Sequence, residues 1–215
     1  MQIVREATNL VIIGAWNPAI LQPSWLGRHV FGIPEGQPLP VKMAFTPIPG
    51  APPKWTIEGI TFVPSHDRLF LSPVDLNQDT LSAVETKAIA ILNLLHHTPV
   101  GAFGQNFHFV DEQPAPELVQ IFALNDDAGD RIEPANVLVS TSITTSYAIG
   151  NCVLNLTRSF SNGRLDIKFN FHYDTSSAAD AVAKLANTFS VNYGLVIKFL
   201  QSYHVVLDAQ EVAHG

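Results

Sequence analysis

The stretch Ser65-His66-Asp67-Arg68-Leu69 has a counterpart 96 residues later, Ser161-Asn162-Gly163-Arg164-Leu165. Each joins two runs of branched, aromatic and apolar residues, and each is followed by a long amphipathic helical pattern. Asn-Gly is the strongest dipeptide signal for a tight hairpin, because both residues tolerate the positive φ such turns require. The positions that correspond to Asn162-Gly163 in the first stretch are His66-Asp67. Ser65, His66 and Asp67 invite a catalytic reading on their own, but the second stretch makes them a turn. Residues adjacent in a tight turn do not form a Ser-His-Asp triad, and Asp is a turn-former in its own right.

Working outward, Asn9 to Trp16 reads as a buried strand, being a short run rich in branched residues. Pro23 suits the first position of a short helix carrying Trp25, Leu26 and Val30, with Gly32 placed to stop it. Seven prolines fall between Pro34 and Pro53, and they deny that segment the donors a helix or central strand needs. Only Val41 to Thr46 reads there as a strand, at an edge. Lys54 to Val63 and Arg68 to Leu71 follow as strands on either side of the Ser-His-Asp-Arg turn. The next helix carries Leu81, Val84, Ala88, Ile91, Leu92 and Leu95 in one stripe, with Asp79 or Thr80 as cap and Ser82 and Glu85 at capping-box spacing. Thr98-Pro99 ends it.

The second part repeats this order. Val100 to Val110 is a strand, and Pro116, 93 positions after Pro23, opens a short helix with Leu118, Val119 and Phe122. Val137 to Tyr147, Val153 to Phe160 and Leu165 to Tyr173 are strands. A long helix then places Val182, Leu185, Ala186, Phe189, Tyr193, Val196, Ile197 and Leu200 at 3.6-residue spacing, with a bend expected at Gly194. The expected fold is α+β: two pseudo-repeated halves, residues 1–97 and 98–215, each strand, helix, three strands, helix. Their antiparallel strands form a sheet with the helices packed on one face.

Composition bounds what this fold can do. Only 14% of the 215 residues are charged, where about 25% is usual for a soluble domain. The exterior must therefore be uncharged and polar, or buried against a partner. A net charge of −7, with twelve scattered basic residues, argues against nucleic acid. No apolar run reaches the roughly 20 residues of a spanning helix. The one cysteine, Cys152, forms no intramolecular disulfide, and the first residues do not resemble a secretory signal, so a cytoplasmic setting is expected.

Candidate chemistry is sparse. His96 and His97 are adjacent at a helix end and are expected to point about 100° apart, too far to share an ion; they suit the negative end of the helix dipole instead. His108 alternates with Phe107 and Phe109, and His172 with Phe171 and Tyr173. Asn106 and His108 thus share a polar strand face, and Asn170 and His172 share another. If these strands approach each other, Asn106, His108, Asn170 and His172 line one groove; the simpler reading is two solvated histidines. Ser140, Ser142, Thr144 and Ser146 share a hydroxyl face, able to meet a partner at little desolvation cost or to face water. Gly101-Ala-Phe-Gly104 lacks the third glycine of a dinucleotide loop, and no nucleophile elbow or phosphate-binding loop occurs.

The expectation is a non-enzymatic interaction or assembly protein with no cofactor and no metal, forming a homo-oligomer or binding a protein partner through an uncharged sheet face. The alternative is a small-ligand binder or enzyme with a groove between the halves, lined by His108 and His172.

Overall fold

A computed structural model describes residues 1–44, 52–122, 139–203, 205 and 207. The described strands are β1 (Gln2–Ile3), β2 (Asn9–Gly14), β3 (Val41–Ala44), β4 (Lys54–Ile57), β5 (Ile60–Pro64), β6 (Arg68–Pro73), β7 (Val100–Asp111), β8 (Ser140–Ile149), β9 (Cys152–Ser161) and β10 (Arg164–Asp174). The described helices are α1 (Pro23–His29), α2 (Gln78–Leu94), α3 (Pro116–Phe122), α4 (Ala178–Leu185) and α5 (Thr188–Ser202). The fold is α+β, a single antiparallel sheet with helices packed against it, as expected.

The sheet runs β3-β4-β5-β6-β2-β7-β10-β9-β8. β7 is twelve residues long and holds the centre. β2 pairs with its first part, Asn9 opposite Asn106, and β1 pairs further along, Ile3 opposite Phe109. A short 3-10 turn at Arg5–Ala7 separates β1 from β2. Period-two alternation sorts the side chains: Phe103, Phe107, Phe109, Ile167, Phe169 and Phe171 are buried on the helix side with Leu10 and Ile12. They meet Leu81, Val84, Ala88 and Ile91 of α2 and Phe189, Val196 and Leu200 of α5 in one core. The Phe107 ring lies 6.0 Å from Phe171, 5.5 Å from Phe189 and 5.7 Å from Tyr193. Truncating such a ring costs about 3–5 kcal/mol.

Outward from the β2–β7 seam, β6, β5 and β4 on one side mirror β10, β9 and β8 on the other. This is a correspondence of strand order, and it does not demonstrate duplication of a unit. Among the described residues the halves also differ: β1 and β3 lie in the first half, and two helices follow β10 where one follows β6.

Several elements depart from the sequence reading. Lys54 to Val63 is a hairpin, not one strand; Glu58 (φ 47°) and Gly59 (φ 77°) turn the chain between β4 and β5. The turn was hidden because glutamate rarely takes a left-handed conformation. The strand expected from Val41 is present over its described residues, Val41–Ala44; Phe45, Thr46 and Val137 lie outside the described residues. β2 ends at Gly14, short of Trp16.

Asn77 caps α2, accepting from the Thr80 N–H at 2.9 Å while its own N–H donates to Thr80 Oγ1 at 3.2 Å. Glu85 takes no part in that box. The expected last helix breaks into α4 and α5 at Ala186-Asn187, where Asn187 has φ 61°, and not at Gly194, which lies inside α5. Glu85 explains the break. Its carboxylate, nearly buried, accepts the N–H of Asn187 and, at 2.9 Å, that of Phe189. It thereby caps α5 from α2 and complements the positive end of the α5 dipole.

Candidate functional site

The turn at Ser65 is built as its residues imply. Ser65 N donates to the Arg68 carbonyl at 2.8 Å, Ser65 Oγ donates to Asp67 Oδ1 at 2.8 Å, and Arg68 Nε donates to Asp67 Oδ2 at 2.9 Å. The Arg68 and Ser65 hydrogen bonds hold the Asp67 carboxyl down at about 2. His66 makes none of these side-chain contacts. Asn162 (φ 52°) and Gly163 (φ 81°) form the matching two-residue turn between β9 and β10.

His96 and His97 do not splay apart. α2 ends at Leu94, so they follow the helix, and their ring centroids lie 3.9 Å apart. Among the described residues, no group of three or more His, Cys, Asp or Glu side chains could hold a metal ion.

The four residues singled out by alternation do share a surface. β7 and β10 are neighbours, Asn106 stands opposite Asn170, His108 opposite Lys168, and His172 opposite Gly104. All lie on the face of the sheet opposite the core, helix-free among the described residues. Both strands belong to the second half, so this surface is not a groove between the halves. The two histidines are separated along the strands by the Asn106–Asn170 rung.

That rung is part of a longer row. Asn106 Nδ2 donates to Asn9 Oδ1 at 2.8 Å, Asn170 Nδ2 to Asn106 Oδ1 at 2.8 Å, and Asn155 Nδ2 to Asn170 Oδ1 at 3.1 Å. Ser146 Oγ completes the row by donating to Asn155 Oδ1 at 2.7 Å. The register puts these residues directly opposite one another on β2, β7, β10, β9 and β8. All four bonds point the same way, from Ser146 toward Asn9, so the amide dipoles are aligned and reinforce one another. Asn106, Asn170 and Asn155 each spend one N–H and one lone pair in the row, Asn9 spends a lone pair only, and each keeps further hydrogen-bonding capacity for a neighbour above the face.

The flanking rows continue this chemistry. Thr144 and Thr157 hydroxyls lie 2.9 Å apart, and those of Ser142 and Ser159 2.8 Å apart. On the other flank Ala148, Val153, His172, Gly104, Val11, Phe70 and Val63 form a mostly apolar row across seven strands. Gly104 matters there: a Cβ at this position would lie 3.0 Å from Asn170 Nδ2 and press on the amide row.

Arg164, Asp166 and Lys168 of β10 lie toward one end of the face. His108 Nε2 lies 2.7 Å from Asp166 Oδ1, and Arg164 donates to both Asp166 oxygens at 2.9 and 3.1 Å. Burial pushes the His108 imidazole below its ordinary value of 6.5, although the Asp166 hydrogen bond acts against it. Burial acts to raise the Asp166 carboxyl, but its hydrogen bonds to Arg164 and His108 outweigh this and hold it below 3.8. Asp166 thus stands between His108 and Ser159. A triad has the opposite order, with histidine between acid and hydroxyl. His172 meets Asp174 at 3.1 Å in a more exposed setting.

Asn9 and Asn155 were not singled out by the sequence. Both sit at the polar parity of their strands, but only register reveals that they share a row. A second polar cluster was also missed, on the helix side. Gln105, fully buried, donates to Thr188 Oγ1 at 2.7 Å and accepts from Asn192 Nδ2 at 2.7 Å; Asn192 also donates to Tyr173 Oη at 2.8 Å. Burial is the main cause that pushes the Tyr173 hydroxyl up to about 12. This cluster ties α5 to β7 and β10, and its polar groups satisfy one another.

No protein-family model matches the chain, and no curated protein matches it.

Proposed function

We propose that the protein acts by association: a non-enzymatic interaction or assembly protein whose contact surface is the polar helix-free face of β2, β7, β10, β9 and β8, centred on its uncharged amide and hydroxyl rows. The observation that supports this reading is the amide row from Ser146 to Asn9. Covering a charge with protein is costly unless it is paired, whereas neutral amides and hydroxyls lose far less on leaving water. A face whose polar groups already bond one another leaves fewer of them to be satisfied by whatever covers it. The 14% charged composition is in keeping with such a surface. The single Cys152 is buried, its thiol donating to the Ile149 carbonyl at 3.2 Å, which suits a reducing, cytoplasmic setting. Among the described residues, no helix is long and apolar enough to cross a membrane.

Size-exclusion chromatography with light scattering tests the proposal. The expected result is a particle heavier than the 23.5 kDa chain, or a stoichiometric partner, reduced in Thr157→Lys, which sets a charge in the hydroxyl row. A strictly monomeric particle with no partner refutes it.

The His108–Asp166 pair favours a second reading, a small-ligand site or enzyme centred on His108, with Asn106, Asn170 and His172 nearby. Stoichiometric zinc or iron in the purified protein, lost in His108→Ala, would rank that reading above association.

A further inference from the structure

The two edges of the sheet are finished differently. β3, described over Val41–Ala44, follows Pro38 and Pro40 and carries Lys42. Proline and lysine are among the usual means by which an edge resists pairing with another chain. β8 has neither. It is ten residues long, Ser-Thr-Ser-Ile-Thr-Thr-Ser-Tyr-Ala-Ile, without a charge or a proline. It pairs with β9 in unbroken register from Ser140 to Ile149. Among the described residues nothing pairs with its outer side. Alternate residues of an edge strand turn N–H and C=O outward, so about five such sets face away from β9.

We infer that β8 is the docking edge for a second copy of this chain, pairing antiparallel with its counterpart about a two-fold axis at Thr144. This rests on the association reading above and names the partner. The register follows from the side chains. With Thr144 opposite itself, the helix-free face brings Ser142 against Ser146 and Ser140 against Ala148, hydroxyls and methyls with no charge to repel. On the other face Val139 meets Ile149, Thr141 meets Tyr147, and Ile143 meets Thr145. Val139 and Ile149 are 70% and 39% exposed in the single chain, and Tyr147 is 45% exposed. Branched and aromatic cross-strand pairs of this kind are favourable ones. A symmetric contact must be self-complementary, since each residue meets its reciprocal partner. β8 meets that condition over its whole length. The pairing joins the amide row ending at Ser146 to Ser142 and Ser159 of the second copy, extending the hydroxyl surface from one chain to the other.

Two variants test the inference in solution. Wild-type protein is expected at twice the 23.5 kDa chain mass. Thr144→Lys opposes two ammonium groups at the axis and is expected to bring the mass down to that of one chain, with an unchanged circular dichroism spectrum. Thr144→Cys is expected to form an interchain disulfide on mild oxidation, because directly opposed Cα atoms in such a pair lie about 5.5 Å apart, within disulfide range. Ser142→Cys, two residues off the axis, is expected not to. A wild-type dimer that survives Thr144→Lys and leaves Thr144→Cys uncrosslinked overturns the β8 assignment while association stands. A monomeric wild type overturns the β8 assignment, and one that also carries no partner overturns association with it.

Discussion

The direction of the amide row makes a prediction that geometry alone would not. Asn170 both accepts, from Asn155, and donates, to Asn106 Oδ1 at 2.8 Å. Asn170→Asp keeps the shape and the acceptor but removes the donor. A carboxylate oxygen then faces Asn106 Oδ1, which has no proton to offer. The lost neutral bond is worth about 1 kcal/mol, and the half-buried acceptor left opposed adds about 1–2 kcal/mol. Lys168, two residues along on the same face, offsets a little of this through solvent. The expected cost is about 1.5–3 kcal/mol. Asn9 is the terminus of the row and only accepts within it, from Asn106 Nδ2. Asn9→Asp therefore keeps its bond, now strengthened by charge, and its stability should stay within about 0.5 kcal/mol of wild type. Urea denaturation followed by circular dichroism separates the two. With a slope near 2 kcal/mol/M, a difference of about 2 kcal/mol moves the midpoint by about 1 M. Equal midpoints for Asn9→Asp and Asn170→Asp, or the reverse order, would refute a row polarised toward Asn9.

Other residues yield sharper single tests. Glu85→Ala strips the cap from α5 and leaves the buried Phe189 N–H without its acceptor; stability should fall by about 2–4 kcal/mol in urea unfolding, and amide exchange at Phe189 should quicken. Asn187 sits at φ 61°, so Asn187→Gly should be close to neutral while Asn187→Ala costs about 1–2 kcal/mol in thermal or urea unfolding. Gly104→Ala puts a methyl 3.0 Å from Asn170 Nδ2 and should cost about 1–3 kcal/mol as the row is displaced. His108 titrates below 6.5 in the folded state because it is buried. The unfolded chain therefore binds the proton more readily, so stability is full above the unfolded value and is lost as pH falls toward the lowered folded one. His108→Gln should flatten that segment of the stability–pH curve; an unchanged slope would show that another group carries it.

The fold was legible where side-chain period and turn chemistry agreed. Phe107, Phe109, Phe169 and Phe171 alternate with polar residues, which placed the core face and the polar face correctly. Asn162-Gly163 marked its turn because both residues suit positive φ. Glu58-Gly59 did not, since a glutamate there is held by the strands around it. The break at Asn187 depends on Glu85, 102 residues away in the chain, and no local pattern reports such a bond. The same holds for the site. Alternation grouped Asn106 with His108 and Asn170 with His172, but pairing register alone joins Asn106 to Asn170 and brings in Asn9 and Asn155.

A sheet covered by helices on one side must present its other side to something, and in most proteins water solvates charges there. In this protein the middle of that side is held by amides and hydroxyls that bond across strands, with Arg164, Asp166 and Lys168 toward one end of β10 and Asp174 at the other. Residues 98–215 supply four of the five members of the amide row, and Asn9 from the other half receives the last bond across the β2–β7 seam. A surface so arranged does not depend on counter-ions or on ordered charges to keep its shape. It can be extended from β8 by a further strand without breaking any bond it already makes.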